Sequence, residues 1–178
     1  MEIPHFVQDD RGTVMILSTK GRYAVMAMVD LATQPADKPV GLASVAERQE
    51  IPLAYLEQIF AKLKKAGLLK AVRGPGGGYK LTKTPDEISV ADIMMASGEP
   101  IKMTRCKTDS HLGCMETKVR CLTHDLWEGL TAQMRHYLGS ITLADVCARR
   151  VQQKFPRAHA SPEMMMFAKM FPEKRTNA

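Results

Sequence analysis

The segment LASVAERQEIPLAYLEQIFAKLKKAGLLKAVRGPGGGYKLTK, residues 42–83, narrows the possible folds more than any other part of the chain. Leu42, Val45 and Ala46 line one face of a short helix, and QEIP interrupts it. Leu53, Leu56, Phe60 and Leu63 then recur at i, i+3, i+7 and i+10 in a second helix closed by Gly67. Two helices joined by so tight a turn read as a helix-turn-helix, although an ordinary helical hairpin would show the same pattern. The next residues favour the first reading: LLKAV reads as a strand, RGPGGG as a reversal and YKLTK as a return strand. A helix-turn-helix followed by a hairpin is a winged helix.

Three consecutive glycines, Gly76, Gly77 and Gly78, permit positive φ and close backbone approach, and Arg73 at the base of the reversal can reach a narrow groove. A nucleotide-phosphate loop is a poor fit, because no Gly-Lys-Ser/Thr follows and no helix opens there. A mobile hairpin without a ligand is the plain alternative. Charge supports a polyanion. Residues 15–85 carry 11 Lys/Arg against 5 Asp/Glu, 11 − 5 = +6, whereas residues 86–150 carry 8 against 9, 8 − 9 = −1. A basic module next to a neutral one suits a phosphate backbone, with a merely soluble basic surface as the alternative.

The flanking segments set the organisation. Residues 1–14 have no usable periodicity and are expected to be a disordered extension. Lys20 to Ala32 suit a helix with Tyr23, Ala27, Met28 and Leu31 on one face. Another short helix starts at Ser89, with Asp92 as its capping-box partner. Thr123 is expected to N-cap a long helix carrying Leu126, Trp127, Leu130, Met134, Tyr137, Leu138 and Ile141 at 3-4 spacing. That stripe is too broad for one small domain to cover, which favours a dimer seam over packing back onto the same chain. A last short helix begins at Thr142, and residues 151–178, with three prolines and an apolar knot at Met164 to Met170, are expected to be a disordered basic tail. The expected fold is mainly α with a small β-hairpin, a winged helix over 15–85 followed by a ligand-binding loop and dimerisation helices over 86–150.

The loop before the long helix holds the soft-ligand chemistry. Cys106, Cys114, Cys121 and His124 have a C-x7-C-x6-C-x2-H spacing. No run reaches the roughly 18 apolar residues of a membrane span and no signal-peptide pattern opens the chain, so the protein is expected in the cytosol, where disulfides are rare. The cysteines then read as metal ligands or redox thiols. Structural zinc sites usually contain a tight C-x2-4-C knuckle, and the long spacers here suit the wider reach of an iron-sulfur cluster. Zinc and scattered reduced thiols are the alternatives, and His111 competes with His124 as a ligand. Cys147 lies on the apolar face of the last helix and reads as a small buried hydrophobe. No cofactor fingerprint, C-x-x-C pair or substrate-shaped acid/base pair appears, so an enzyme is not expected.

The stretches LSTKGRYAVMAMVDLA, ERQEIPLAYLEQIFAKLKKAGLL, VRGPGGGYKL and the three-cysteine loop ending in CLTHDLW together resemble the IscR-type iron-sulfur cluster regulators, a family of winged-helix transcription factors. The resemblance spans roughly Met15 to Arg150. It implies a homodimer on pseudo-palindromic double-stranded DNA and a [2Fe-2S] cluster on Cys106, Cys114, Cys121 and His124, loaded by the iron-sulfur assembly machinery. It further implies repression of cluster-assembly genes when clusters are plentiful, while close relatives sense nitric oxide through a [4Fe-4S] cluster. For DNA reading, the N-terminal part of the second helix of the motif places Tyr55, Glu57 and Gln58 toward the major groove. By resemblance, Arg73, Gly76, Gly77 and Gly78 approach the minor groove; Lys62, Lys64 and Lys65 neutralise phosphate or stay solvated.

Overall fold

The structure is a computed structural model that describes residues 19–103 and 119–154. The N-terminal extension, His111 and most of the tail therefore lie outside the described residues. Helix α1 (Thr19–Thr33) is followed by α2 (Leu42–Gln49), α3 (Leu53–Lys65), strands β1 (Leu69–Val72) and β2 (Gly78–Leu81), a 3-10 turn (Pro85–Glu87), α4 (Val90–Ala96), α5 (His124–Ser140), α6 (Leu143–Cys147) and α7 (Val151–Lys154).

Each boundary has a local cause. The α2–α3 turn bends at Glu50, which takes a left-handed φ of 53°, and its N–H bonds back to the last turn of α2. Helix α3 ends in a Schellman motif: Gly67 N–H donates to the Lys64 carbonyl at 3.0 Å, and Leu68 N–H to the Leu63 carbonyl at 3.0 Å, with φ of +76° at Gly67. Buried Leu63 and Leu68 complete it. Helices α4 and α6 each open with a full capping box, Ser89 with Asp92 and Thr142 with Asp145. The two caps also pair with one another, through Val90 N–H to the Ile141 carbonyl at 2.9 Å and Leu143 N–H to the Ile88 carbonyl at 2.8 Å.

The hairpin is antiparallel, with Leu69 opposite Leu81 and Val72 opposite Gly78. A third backbone joins it: Val40 and Tyr79 exchange hydrogen bonds at 3.0 and 2.8 Å. The main core is Met28 and Leu31 of α1, Val45 of α2, Leu56, Ile59, Phe60 and Leu63 of α3, closed by Ile88, Ile93 and Leu143 from beyond the hairpin. One apolar core therefore runs across the division expected near residue 85. A second cluster of Val90, Ala91, Met94, Ile101 and Ile141 seats Met134 and Leu138 of α5. Helical structure also continues past Arg150 into α7, at the start of the segment expected to be irregular.

One polar lock lies beneath the motif. Asp30 on α1 is 6% exposed and receives Arg48 Nε at 3.0 Å, Arg48 Nη2 at 2.6 Å and Gln49 Nε2 at 3.1 Å from α2. Removing the cation strands a buried carboxylate with a single neutral side-chain donor from α2. Arg48→Met is expected to cost about 3 kcal/mol of stability in chemical denaturation.

Candidate nucleic-acid interface and metal centre

The apolar stripe of α3 turns inward, which leaves its opposite face to solvent. Glu57 and Gln58 are exposed there, together with Ala54, Ala61, Lys62, Lys64 and Lys65. Leu53, expected on the apolar face, is 42% exposed, and Ile59 takes a place in the core instead. Tyr55 does not stand free beside Glu57. It is half-buried, its ring edge-on to Tyr23 with centroids 5.9 Å apart, and burial pushes its phenol above the ordinary range, aided by the charge of Glu99.

Arg73 is exposed at the tip of the hairpin. The three glycines have separate reasons to be glycine. Gly76 takes a left-handed φ of +73°, and nearby Gly74 one of +107°. A Cβ on Gly77 would lie 2.5 Å from the Val72 carbonyl oxygen. A Cβ on Gly78 would overlap the Val40 carbonyl and lie 2.9 Å from Gly41 N. Gly77 thus answers to packing inside the wing, and Gly78 to the packing of the wing against Val40.

At the start of α5 the chain brings two soft or borderline donors to one turn. His124 N–H donates to the Cys121 carbonyl at 3.0 Å. The imidazole is buried, 7% exposed, with Nε2 3.2 Å from Glu128 Oε2 one turn on. Sequence reasoning missed Glu128, although its i+4 spacing from His124 is visible there. A carboxylate beside Nε2 fixes the orientation of the ring. Thr123 occupies the cap position as expected but makes no capping bond; its hydroxyl lies 3.6 Å from Cys121 Sγ. His124, Asp125 and Glu128 offer donor atoms within 4.8 Å of one another. Cys106 and Cys114 lie outside the described residues. Cys147 is partly buried against the core, and burial raises its thiol above the ordinary range, as a small hydrophobe would have it.

The segment leading to the cysteines is held on α5. Arg135 Nε donates to the Ile101 carbonyl at 3.1 Å, and Met103 N–H donates to Thr131 Oγ1 at 3.0 Å. Ile101 to Met103 therefore runs toward the end of α5 that carries Cys121 and His124. A cysteine just before α5 and a histidine on its first turn are donor types that iron-sulfur and zinc sites use.

The family model Rrf2, described as "Iron-dependent Transcriptional regulator", matches residues 17–149. The chain belongs to the Rrf2 family. Among relatives of this Rrf2 chain, the HTH-type transcriptional regulator IscR of Aliivibrio salmonicida is 47% identical over 140 residues, 78% of this chain and 82% of that protein. The solved structure of T. potens IscR is 38% identical, with a TM-score of 0.62, covering 81% of this chain and 94% of its own. CymR, the global cysteine regulator of B. subtilis, is 32% identical with a TM-score of 0.62, covering 76% and 98%. The resemblance read from the sequence and the winged-helix fold class both hold. This Rrf2 chain is a DNA-binding transcriptional regulator of IscR-like type and not an enzyme. No helix among the described residues is long and apolar enough to cross a membrane.

Proposed function

We propose that this chain is a homodimeric cytoplasmic regulator that holds an iron-sulfur cluster, [2Fe-2S], on Cys106, Cys114, Cys121 and His124, and whose choice of operator depends on the occupancy of that site. The observation that carries the reading is the backbone turn that joins Cys121 to buried His124 at the head of α5, beside a segment tethered to the same helix. Reach supports the ligand set. Thr131 lies seven residues, about 10 Å of helix, from His124. Met103, bonded to Thr131, is three residues from Cys106, which an extended chain spans in about 10 Å. When bound, the cluster supplies a redox-responsive centre whose histidine ligand raises its potential relative to an all-cysteine site.

The chain's own residues do the reading. Glu57 and Gln58 face the major groove: glutamine bonds adenine, and a carboxylate accepts from cytosine N4 while repelling phosphate and acceptor edges. Tyr55 positions α3 against α1, and Arg73 with Gly76, Gly77 and Gly78 brings the wing to the minor groove. Residues 101–103 link the ligand region to α5, so ordering there changes the environment of Glu57 or the spacing of two recognition helices. Repression of cluster-assembly genes, with the assembly machinery as cluster donor, fits this arrangement.

The trio His124, Asp125 and Glu128 favours a second reading, a divalent ion such as zinc that stabilises the fold without sensing. Anaerobic purification with iron, sulfide and zinc analysis tests both. We expect coloured protein with iron and sulfide, and a colourless Cys106, Cys114, Cys121 triple alanine variant whose operator preference differs from that of the wild type. Colourless wild-type protein holding zinc would establish the rival, and identical binding by both proteins on every operator would remove the sensing role.

A further inference from the structure

Three elements meet at a polar site that neither the recognition residues nor the cysteines account for. Gly98, in the turn after α4, has φ of +84°, and a Cβ built there would lie 2.9 Å from Lys62 Nζ of α3 and 3.7 Å from Lys20 Nζ of α1. Two amines from distant parts of the sequence thus crowd one backbone turn. The next residue, Glu99, lays its Cγ 3.3 Å from the corresponding position on Gly21, against the first turn of α1, a tight fit for any larger residue there. The Lys20 ammonium is held below its ordinary range, first by the closeness of the Lys62 side chain and then by burial, while the charge of Glu99 acts the other way.

Like charges held this close cost free energy unless they share an anion. Lys62 stands one helical turn after Gln58 on the exposed face of α3, so the shared anion position borders the surface assigned to the major groove. Backbone phosphates flank that groove, and protein groups bound to them fix the register of a reading helix without reading sequence. Resting on the duplex-binding reading above, we propose that Lys20 and Lys62 together grip one backbone phosphate of the duplex and that Glu99 is the internal anion with which this phosphate competes.

The placement of Glu99 adds a consequence. It stands seven residues before Cys106, on the segment tethered to α5 through Ile101 and Met103. The charge that tempers the DNA-facing amines and the thiol ligand region thus share one short stretch of chain.

The test is a salt titration with the full-length protein and a mixed-sequence 30-bp duplex, because a phosphate grip acts on any sequence. The slope of log affinity against log salt becomes shallower by about 0.9 for each phosphate the protein ceases to neutralise. We expect the slope of the double variant K20M/K62M to fall by about one such step, that of each single variant to fall by less, and E99Q to bind every duplex several-fold more tightly with the slope unchanged. A fall near two steps in the double variant would mean two independent phosphates and overturn the shared grip. Unchanged slopes would leave both amines in solvent and overturn it outright, and E99Q binding no tighter than wild type would overturn the role of Glu99. Circular dichroism melting of each variant reports folding, and methionine keeps the aliphatic stem. Wild-type protein that binds no duplex at all would instead sink the DNA-binding reading.

Discussion

Gly78→Ala is expected to detach the wing from the body of the domain and to be the most damaging single-methyl change in the described chain. The added carbon overlaps the Val40 carbonyl and crowds Gly41 N at 2.9 Å, both of them backbone, so no rotamer change relieves it. Val40 must withdraw, and its two hydrogen bonds with Tyr79 stretch or break. Overpacking costs about 1–3 kcal/mol and each broken backbone bond about 1 kcal/mol more, so the loss of stability should reach about 4 kcal/mol. Tyr79 also stacks edge-on to Phe60 at 5.0 Å, so the disturbance reaches the core under α3. Urea denaturation checks the stability, and duplex affinity should fall with it if the wing carries Arg73 to the minor groove as proposed. Gly129→Ala is the contrast: nothing lies within 4 Å of its built Cβ, and alanine in a helix interior should stabilise by about 0.5–1 kcal/mol. A Gly78→Ala protein as stable as wild type would show that the Val40 strand contributes nothing.

The same glycine shows where sequence reasoning stopped. RGPGGG announced a reversal, and the hairpin is where it was expected. The partner of Gly78 was illegible, because Val40 is a single-residue bridge with no period of its own. Helices with a strict apolar face read correctly: Ala27, Met28 and Leu31 of α1 and Leu56, Phe60 and Leu63 of α3 are all buried. The capping box at Ser89 read correctly because it is local, whereas at Thr142 only the helix start was drawn from the sequence and its box with Asp145 was missed. The Asp30–Arg48 lock went unseen, since an ion pair across 18 residues leaves no mark on either neighbourhood. At the candidate site, the exposure of Glu57 and Gln58 came from the apolar stripe opposite, and the Cys121–His124 turn from spacing alone. The convergence of Lys20, Lys62 and Glu99 needed three helices in place.

The long helix carries the second large prediction. Its inner side is fully used: Thr131 is buried under Met103, and Met134 and Leu138 pack on Ile101 and Ile141. Its outer side keeps Leu126 63%, Trp127 39% and Tyr137 39% exposed, with Leu130 half-covered and Leu122 fully exposed just before it. Scattered apolar residues are normal on a surface, but a stripe three turns long beside an aromatic is the kind of face a second helix covers. Burying side chains of this size is worth about 1.5–3 kcal/mol each, so two charged replacements at the centre remove much of an isologous interface twice over. Leu126→Glu with Trp127→Glu is expected to raise the dissociation constant of the proposed homodimer by about a thousandfold, roughly 4 kcal/mol, measured by sedimentation equilibrium. Helix content should change little, because both positions lie on the outer side of α5 and glutamate is a good helix former. Affinity for a palindromic site should fall far more than affinity for one half-site, since a dimer reads two half-sites only if its seam fixes their spacing. An unchanged dimer would move the seam away from α5 and leave this stripe to another partner.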